Sequence, residues 1–222
     1  MKRVLAINGS PRLGSNSSIL LDQFIEGVKD EGGYVTSFWI NDLHVKPCSG
    51  CLRCNLIKRC SIRDDDWEDL SSMLKEADVI VFAMPVYFHH VPAPVKLVLD
   101  RFRSFVHVQI TENGLIHTPH ESWSKDFVLL LSMGSPDTKE ADPIVDLFSF
   151  VKKSMGEQNR LHTIRATRLA VSKQVSKSRE ELRVLYRKMN LSEDLVEADY
   201  AKNQEVLAQC HDMGKMLAAG NS

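Results

Sequence analysis

Short apolar runs alternate with segments of helical periodicity along most of the chain. An uninterrupted apolar run, as opposed to alternating apolar and polar positions, is typical of a strand buried on both faces of a parallel sheet. Helices between such strands cover the two faces of the sheet. The pattern therefore predicts an α/β fold with a doubly wound sheet of five parallel strands. The predicted strands cover residues 3–8, 34–40, 77–84, 126–132 and 162–171.

The segments between and after these strands predict helices. Pro92 and Pro94 suit the first turn of a helix, and the aspartates at 64–66 would cap the free amides of the helix that follows them. Between 104 and 125 the pattern weakens, and the Asn-Gly pair at 113–114 predicts a turn, so we expect a long excursion of the hairpin type. The predicted helices cover residues 19–30, 67–76, 92–103, 140–155, 176–189 and 192–218, the last two in a C-terminal extension from about 174.

Composition excludes several classes of protein. The 28 lysines and arginines balance 29 aspartates and glutamates, which argues against a nucleic-acid partner. No stretch approaches the roughly 20 apolar residues of a membrane span, and the first apolar run is too short for a secretory signal. The length of 222 residues suits one domain. We expect a single cytoplasmic domain with a small partner molecule and no membrane contact.

The turn AINGSPRLGSNSS, residues 6–18, lies between the first strand and the first helix. Its backbone amides should face an anion, because the start of a helix carries free N–H groups and a positive partial charge. The turn lacks the lysine of an ATP-binding phosphate loop and the third glycine of a dinucleotide fingerprint. Its hydroxyls and its one arginine suit a monophosphate bound without metal, although an ordinary capped turn is the alternative.

This turn, with GSPR directly after the first strand, resembles the NADPH-dependent FMN reductase family of the flavodoxin-like fold. The resemblance covers most of residues 1–150. It implies that the FMN phosphate is held by Ser10, Arg12, Ser15, Asn16 and Ser17. The segment MPVYFHHVPAPVKLVLDR resembles the second flavin segment of the family, which implies that Pro85, Val86, Tyr87 and Phe88 lie against the flavin ring. A third loop matches by position only and contains Ser132, Met133 and Gly134.

Cysteines at 48, 51, 54 and 60 form a C-x2-C-x2-C-x5-C array, and bacterial ferredoxins share its first three spacings. Such close spacing lets one loop wrap several thiolates around one cluster. The array is similar to that of the iron-sulfur flavoproteins, which implies a 4Fe-4S cluster near the flavin of a neighbouring subunit. Zinc, bare thiols and the remnant of a lost cluster are the alternatives. The predicted ligands are Cys48, Cys51, Cys54 and Cys60, all in one predicted loop at 46–63, the cysteine loop.

The resemblance implies a flavin-dependent oxidoreductase that exchanges electrons with a small-molecule acceptor or a redox protein such as ferredoxin, and that assembles as a homodimer or homotetramer. One alternative is an NAD(P)H-dependent FMN or quinone reductase that holds no cluster. Another is a non-enzymatic electron carrier of the flavodoxin type, since one fold hosts many functions. NAD(P)H would serve the first two as co-substrate. The motifs require no general acid or base. The fifth cysteine, Cys210, is expected to be a buried small hydrophobe.

Overall fold

A computed structural model describes residues 1–220, and its centre is a five-stranded parallel sheet. The sheet strands are β1 (Arg3–Asn8), β2 (Tyr34–Trp39), β3 (Val79–Pro85), β6 (Asp126–Ser132) and β7 (Arg160–Ala166). They lie in the order β2-β1-β3-β6-β7. This is the strand order of the flavodoxin-like fold, so the predicted fold class is confirmed. An antiparallel hairpin, β4 (Val106–Thr111) and β5 (Gly114–Pro119), lies outside the sheet.

Seven helices surround these strands in the described part of the chain. They are α1 (Asn16–Asp30), α2 (Cys54–Ile57), α3 (Trp67–Glu76), α4 (Ala93–Arg101), α5 (Asp142–Met155), α6 (Arg179–Lys188) and α7 (Leu195–Ala219). Helices α1 and α7 pack on one face of the sheet, and α3, α4 and α5 pack on the other. Both faces of β3 and β6 are therefore buried, which explains why these strands are apolar throughout. Between residues 1 and 220, no helix combines the length and the apolar character that a membrane crossing requires.

The carboxyl ends of β3 and β7 differ from the prediction. Strand β3 continues to Pro85, which lies opposite Ser132. A strand tolerates proline at its end, and here the next N–H, that of Val86, donates to the Ser132 carbonyl. Strand β7 ends at Ala166 rather than at 171. Arg168 adopts a left-handed backbone with φ 57°, and the chain turns across the end of β6. The apolar residues at 169 and 171 had extended the predicted strand too far.

The excursion at 104–125 is the hairpin, with its turn at the predicted Asn-Gly pair. Helix α4 ends at Arg101, two residues earlier than predicted, and a short 3-10 helix (Phe102–Phe105) leads into β4. The capping prediction for 64–66 holds only for Asp65, whose carboxylate accepts a hydrogen bond from the N–H of Trp67 at 3.3 Å. The carboxylate of Asp66 instead accepts from the N–H of His44. Cys210 is fully buried, as expected, and burial raises its pKa to about 12.

Candidate functional site

Three loops meet at the carboxyl edge of the sheet. They follow β1, β3 and β6, which are neighbours because β1 is the point where the strand order changes direction. Crevices at such a point are where open α/β sheets bind ligands. The loops are joined directly, since the hydroxyls of Ser17 and Ser132 are 2.8 Å apart and the Val86 N–H donates to the Ser132 carbonyl at 2.9 Å. The three segments singled out in the sequence therefore lie together.

The first loop is shaped by its own hydroxyls. Ser15 caps α1 by accepting a hydrogen bond from the N–H of Ser18 at 3.1 Å. The hydroxyl of Ser10 accepts from the N–H of Arg12 at 3.2 Å. The backbone N–H groups of residues 14–17 have no hydrogen-bond partner among residues 1–220. The Arg12 side chain is exposed and pairs with no carboxylate in that range. The free amides and the unpaired guanidinium are the donors that this loop offers to an anion.

Asn16 is placed differently from its neighbours. Its side-chain NH2 donates to the Val171 carbonyl at 2.8 Å, and its side-chain oxygen accepts from the N–H of Val175 at 3.0 Å. The side chain is thus committed to the segment that follows β7. Only the backbone N–H of Asn16 is open to a ligand.

The second loop is a tight turn after β3. Tyr87 and His90 exchange two backbone hydrogen bonds, and the residues between them, Phe88 and His89, both have positive φ (47° and 60°). Non-glycine residues in this conformation are strained, and such strain concentrates at functional sites. Phe88 is wholly exposed, Tyr87 is 41% exposed, and Pro85 is buried. An aromatic ring held in solvent on a strained turn is available to a planar partner.

The third loop, after β6, offers a ligand fewer side chains than the first two loops. Ser132 is buried and bonded to Ser17, as described above. Met133 is also buried, and its side chain packs in the core with the α3, α4 and α5 layer. Gly134 is exposed. Side-chain contact with a ligand is therefore open to Ser132 but not to Met133, which can offer only backbone.

All four predicted cysteine ligands line one cavity of about 190 Å³, together with Arg101 and Arg103. Cys54, at the start of α2, is buried, Cys60 is half-buried, and Cys48 and Cys51 are exposed. Ser61 lies 3.4 Å from the Cys51 sulfur and is the main cause that lowers the pKa of Cys51 to about 7. Burial raises the pKa of Cys54. No three His, Cys, Asp or Glu side chains of residues 1–220 stand close enough to hold a single metal ion.

Two arginines that the sequence analysis did not single out form the wall of this cysteine cavity. The Arg101 guanidinium is buried and pairs with Asp65 at 2.5 Å. Arg103 approaches the Cys54 sulfur at 3.5 Å and donates to the side-chain oxygen of Asn55 at 2.9 Å. Asn55 in turn bonds both backbone groups of Val108 in β4, which ties the hairpin to the cysteine loop. The available signal was two arginines, two residues apart, between the apolar residues at 97–99 and 105–106.

Residues 2–149 match the family model described as NADPH-dependent FMN reductase. The chain belongs to this family. The match spans the first two loops, the cysteine array and the third loop, so it confirms the predicted family.

Curated relatives carry a more specific description over a shorter region. An iron-sulfur flavoprotein of Methanocaldococcus jannaschii is 38% identical over 101 residues, 46% of this chain and 52% of that protein. An iron-sulfur flavoprotein of Archaeoglobus fulgidus is 41% identical over 101 residues, 46% of this chain and 49% of that protein. The chain thus spans about half the length of the curated relatives it matches.

Solved structures match over almost the whole chain, at low identity. An NAD(P)H:quinone oxidoreductase of Methanothermobacter marburgensis superimposes with TM-score 0.67 and 15% identity, covering 97% of this chain and 98% of that one. An FMN-dependent NADH-azoreductase of Bacillus anthracis, solved in complex with FMN, gives TM-score 0.62 and 16% identity, covering 98% and 100%. At these identities the likeness establishes the fold.

Proposed function

We propose that the protein is an FMN-dependent oxidoreductase that binds the FMN phosphate in the loop at 9–18. The observation that carries the proposal is the donor set of this loop, in which the N–H groups of 14–17 and the Arg12 guanidinium have no protein partner between residues 1 and 220. A dianionic monophosphate satisfies such groups without a metal. Ser10, Ser15 and Ser17 are buried and shape the loop through the hydrogen bonds of their hydroxyls, and Asn16 adds its N–H.

The flavin ring would lie against the second loop. Tyr87 and Phe88 present aromatic surface there, and Pro85 and Val86 form the apolar floor beside it. Ser132 and the backbone at 133–134 border the same crevice from the third loop. This arrangement separates the two tasks of the site, with charge neutralised at the first loop and the ring shielded at the second.

When bound, FMN supplies the redox chemistry, because it accepts two electrons and releases them singly or in pairs. The residues of the chain bind and orient it. Arg12 and the start of α1 fix the phosphate, and loop amides near 86 and 133 can face polar ring atoms. No side chain at the three loops has the pairing of a general acid and base, so we assign none.

We further propose that the cysteine cavity holds an iron-sulfur cluster. Four thiols line one cavity, and Arg103 beside Cys54 would offset the negative charge of thiolate ligands. A structural zinc ion usually takes its ligands from two separated pairs of residues, whereas all four cysteines here lie in one loop. In a cluster the ligands are spread over several metal ions, which suits four thiols that line one cavity without converging on one point. The relatives named iron-sulfur flavoproteins give independent support.

A second candidate is an NAD(P)H-dependent quinone or FMN reductase whose cysteines hold no cluster. It is favoured by the whole-chain likeness to a quinone oxidoreductase and an azoreductase. In either case we propose a small-molecule acceptor or a redox protein such as ferredoxin as partner, and a homodimer or homotetramer as the assembly.

The phosphate assignment is tested with Arg12→Ala. One charge-assisted contact to phosphate contributes about 1.5 kcal/mol, so we expect roughly tenfold weaker FMN binding in a fluorescence titration of the apoprotein. Arg3→Ala is the matched control, because Arg3 lies at the opposite end of β1 and its side chain makes, within residues 1–220, only an exposed pair with Glu76. Equal FMN affinity in the Arg12 variant and the control would reject the assignment.

The cluster is tested by anaerobic purification and iron analysis. We expect iron and acid-labile sulfide in the wild type, and a loss of both in Cys51→Ala with the flavin retained. Cys210→Ala serves as the control thiol, since Cys210 lies in the core far from the cysteine loop in sequence and in a different cluster of packed residues. A wild type that binds FMN but contains no iron after anaerobic preparation supports the second candidate instead.

A further inference from the structure

We propose that Lys173 is a second cation of the FMN phosphate site, supplied by the segment between β7 and α6. This inference rests on the proposed function and adds to it a residue outside the 2–149 family match. No motif in the sequence marks Lys173, since 159 positions (173 − 14) separate it from Gly14, the loop residue that its side chain approaches.

The first observation is the position of the lysine side chain. A Cβ built on Gly14 would lie 3.0 Å from Cε of Lys173 and 3.9 Å from its Nζ. The lysine therefore crosses directly over Gly14, in the middle of the phosphate loop. Gly14 has φ 63°, so glycine both permits the left-handed turn and leaves room for the lysine.

The second observation is how firmly the lysine backbone is held there. The Ser172 hydroxyl donates to the Gly14 carbonyl at 2.9 Å. On either side, Val171 and Val175 are bonded to the Asn16 side chain. Lys173 itself adopts φ 57°, a left-handed conformation that costs a non-glycine residue roughly 1 kcal/mol. The surrounding contacts maintain this conformation, in which the Lys173 side chain lies over the loop at 9–18.

The third observation concerns charge. Within residues 1–220 the Lys173 ammonium forms no hydrogen bond and no salt bridge, although Lys177, in the same segment, pairs with Glu181 at 3.7 Å. Arg12 is likewise unpaired in that part of the chain. Both cations are exposed and lie in or over the loop whose free amides begin α1, so an anion at this loop has two unpaired cations within reach of their flexible side chains. A phosphate monoester, dianionic at neutral pH, matches both charges, and the flexible lysine stem lets the ammonium reach it.

The experiment compares FMN with riboflavin, which has the same ring and no phosphate. Lys173→Met keeps the length of the stem and removes the charge. We expect FMN to bind roughly tenfold more weakly to this variant, in line with the loss of one charge-assisted contact, and riboflavin affinity to be unchanged. Lys173→Arg should restore most of the FMN affinity. Lys177→Met is the matched control, and thermal melting of each apoprotein checks the fold.

Several results would overturn the assignment. The assignment is wrong if the FMN affinity of Lys173→Met is within twofold of that of Lys177→Met. It is also wrong if Lys173→Met loses affinity for FMN and for riboflavin equally, which would indicate a structural role. A variant that binds FMN normally but loses discrimination between NADPH and NADH would reject the FMN assignment and indicate that Lys173 contacts the extra phosphate of NADPH. Failure of the wild type to bind FMN at all would instead reject the proposed function. Arg12→Ala weakening FMN while Lys173→Met does not would reject only the inference.

Discussion

The buried ion pair between Arg101 and Asp65 offers a sharp test of how the cysteine loop is held. Arg101 side-chain exposure is 0% and that of Asp65 is 2%. The Asp65 carboxylate accepts from the Lys46 N–H at 3.0 Å, and Arg101 donates to the Lys46 carbonyl at 2.7 Å. The pair therefore fixes Lys46, which opens the cysteine loop, to the end of α4. Arg101 also lies 5.1 Å from the centre of the Trp67 ring.

Arg101→Met should remove the cation and leave the carboxylate buried. Breaking a buried pair in this way costs about 3–5 kcal/mol, because the remaining charge has no partner and little water. The double variant Arg101→Met with Asp65→Asn removes both charges and should lose only about 1–3 kcal/mol, mainly the hydrogen bond to Lys46. Adding Asp65→Asn to Arg101→Met should therefore restore about 2 kcal/mol of stability, so the effects of the two substitutions are not additive.

Urea unfolding of the apoproteins, followed by circular dichroism, measures these differences. Arg3→Ala is a suitable control, since an exposed pair such as Arg3 with Glu76 contributes about 0–1 kcal/mol. We also expect Arg101→Met to take up less iron, because the cysteine loop loses its anchor. Strictly additive effects of the two single substitutions, or a stable Arg101→Met protein, would refute the reasoning.

Two further predictions concern residues at the ends of the inner strands β1 and β6. Gly9→Ala should destabilise the protein by about 1–3 kcal/mol, because the new Cβ would lie 2.6 Å from Val95 Cγ2 and such overpacking displaces neighbouring groups. A Gly9→Ala variant that melts at the wild-type temperature would contradict this prediction. Burial tends to raise the pKa of Asp126, but hydrogen bonds from His162 and Arg160 hold it below its ordinary value. The stability from this lowered pKa is present above the unfolded-state pKa of about 3.9 and is lost as pH falls through the lower folded-state pKa. Asp126→Asn should therefore lower the free energy of unfolding in urea by about 1–2 kcal/mol at pH 7 and by less at pH 2–3. An equal loss at both pH values would contradict this prediction.

The sheet could be predicted from the sequence because buried parallel strands leave an unmistakable apolar run, as at β3 and β6. The errors occurred where apolar residues serve another purpose. Leu169 is buried under the turn that follows β7, and it looked like a continuation of the strand. Pro85 predicts a strand end just before it, whereas β3 includes it, because a strand tolerates proline at its end.

The candidate site was predictable only where its residues are close in sequence. The turn at 9–18 and the cysteine array are local motifs, and they could be read directly. Arg103, which lies against Cys54, and Lys173, which lies over Gly14, reach the site through the fold. Local patterns of polarity carry no information about such contacts, because the distance along the chain is spanned by whole helices and strands.

The relative affinity of the wild-type apoprotein for FMN and for riboflavin tests the central claim most directly. If the loop at 9–18 binds the phosphate, FMN should bind at least about 100-fold more tightly than riboflavin, since two or more charge-assisted contacts are lost without the phosphate. Equal affinity for the two flavins, or no binding of either by the folded protein, would contradict the account.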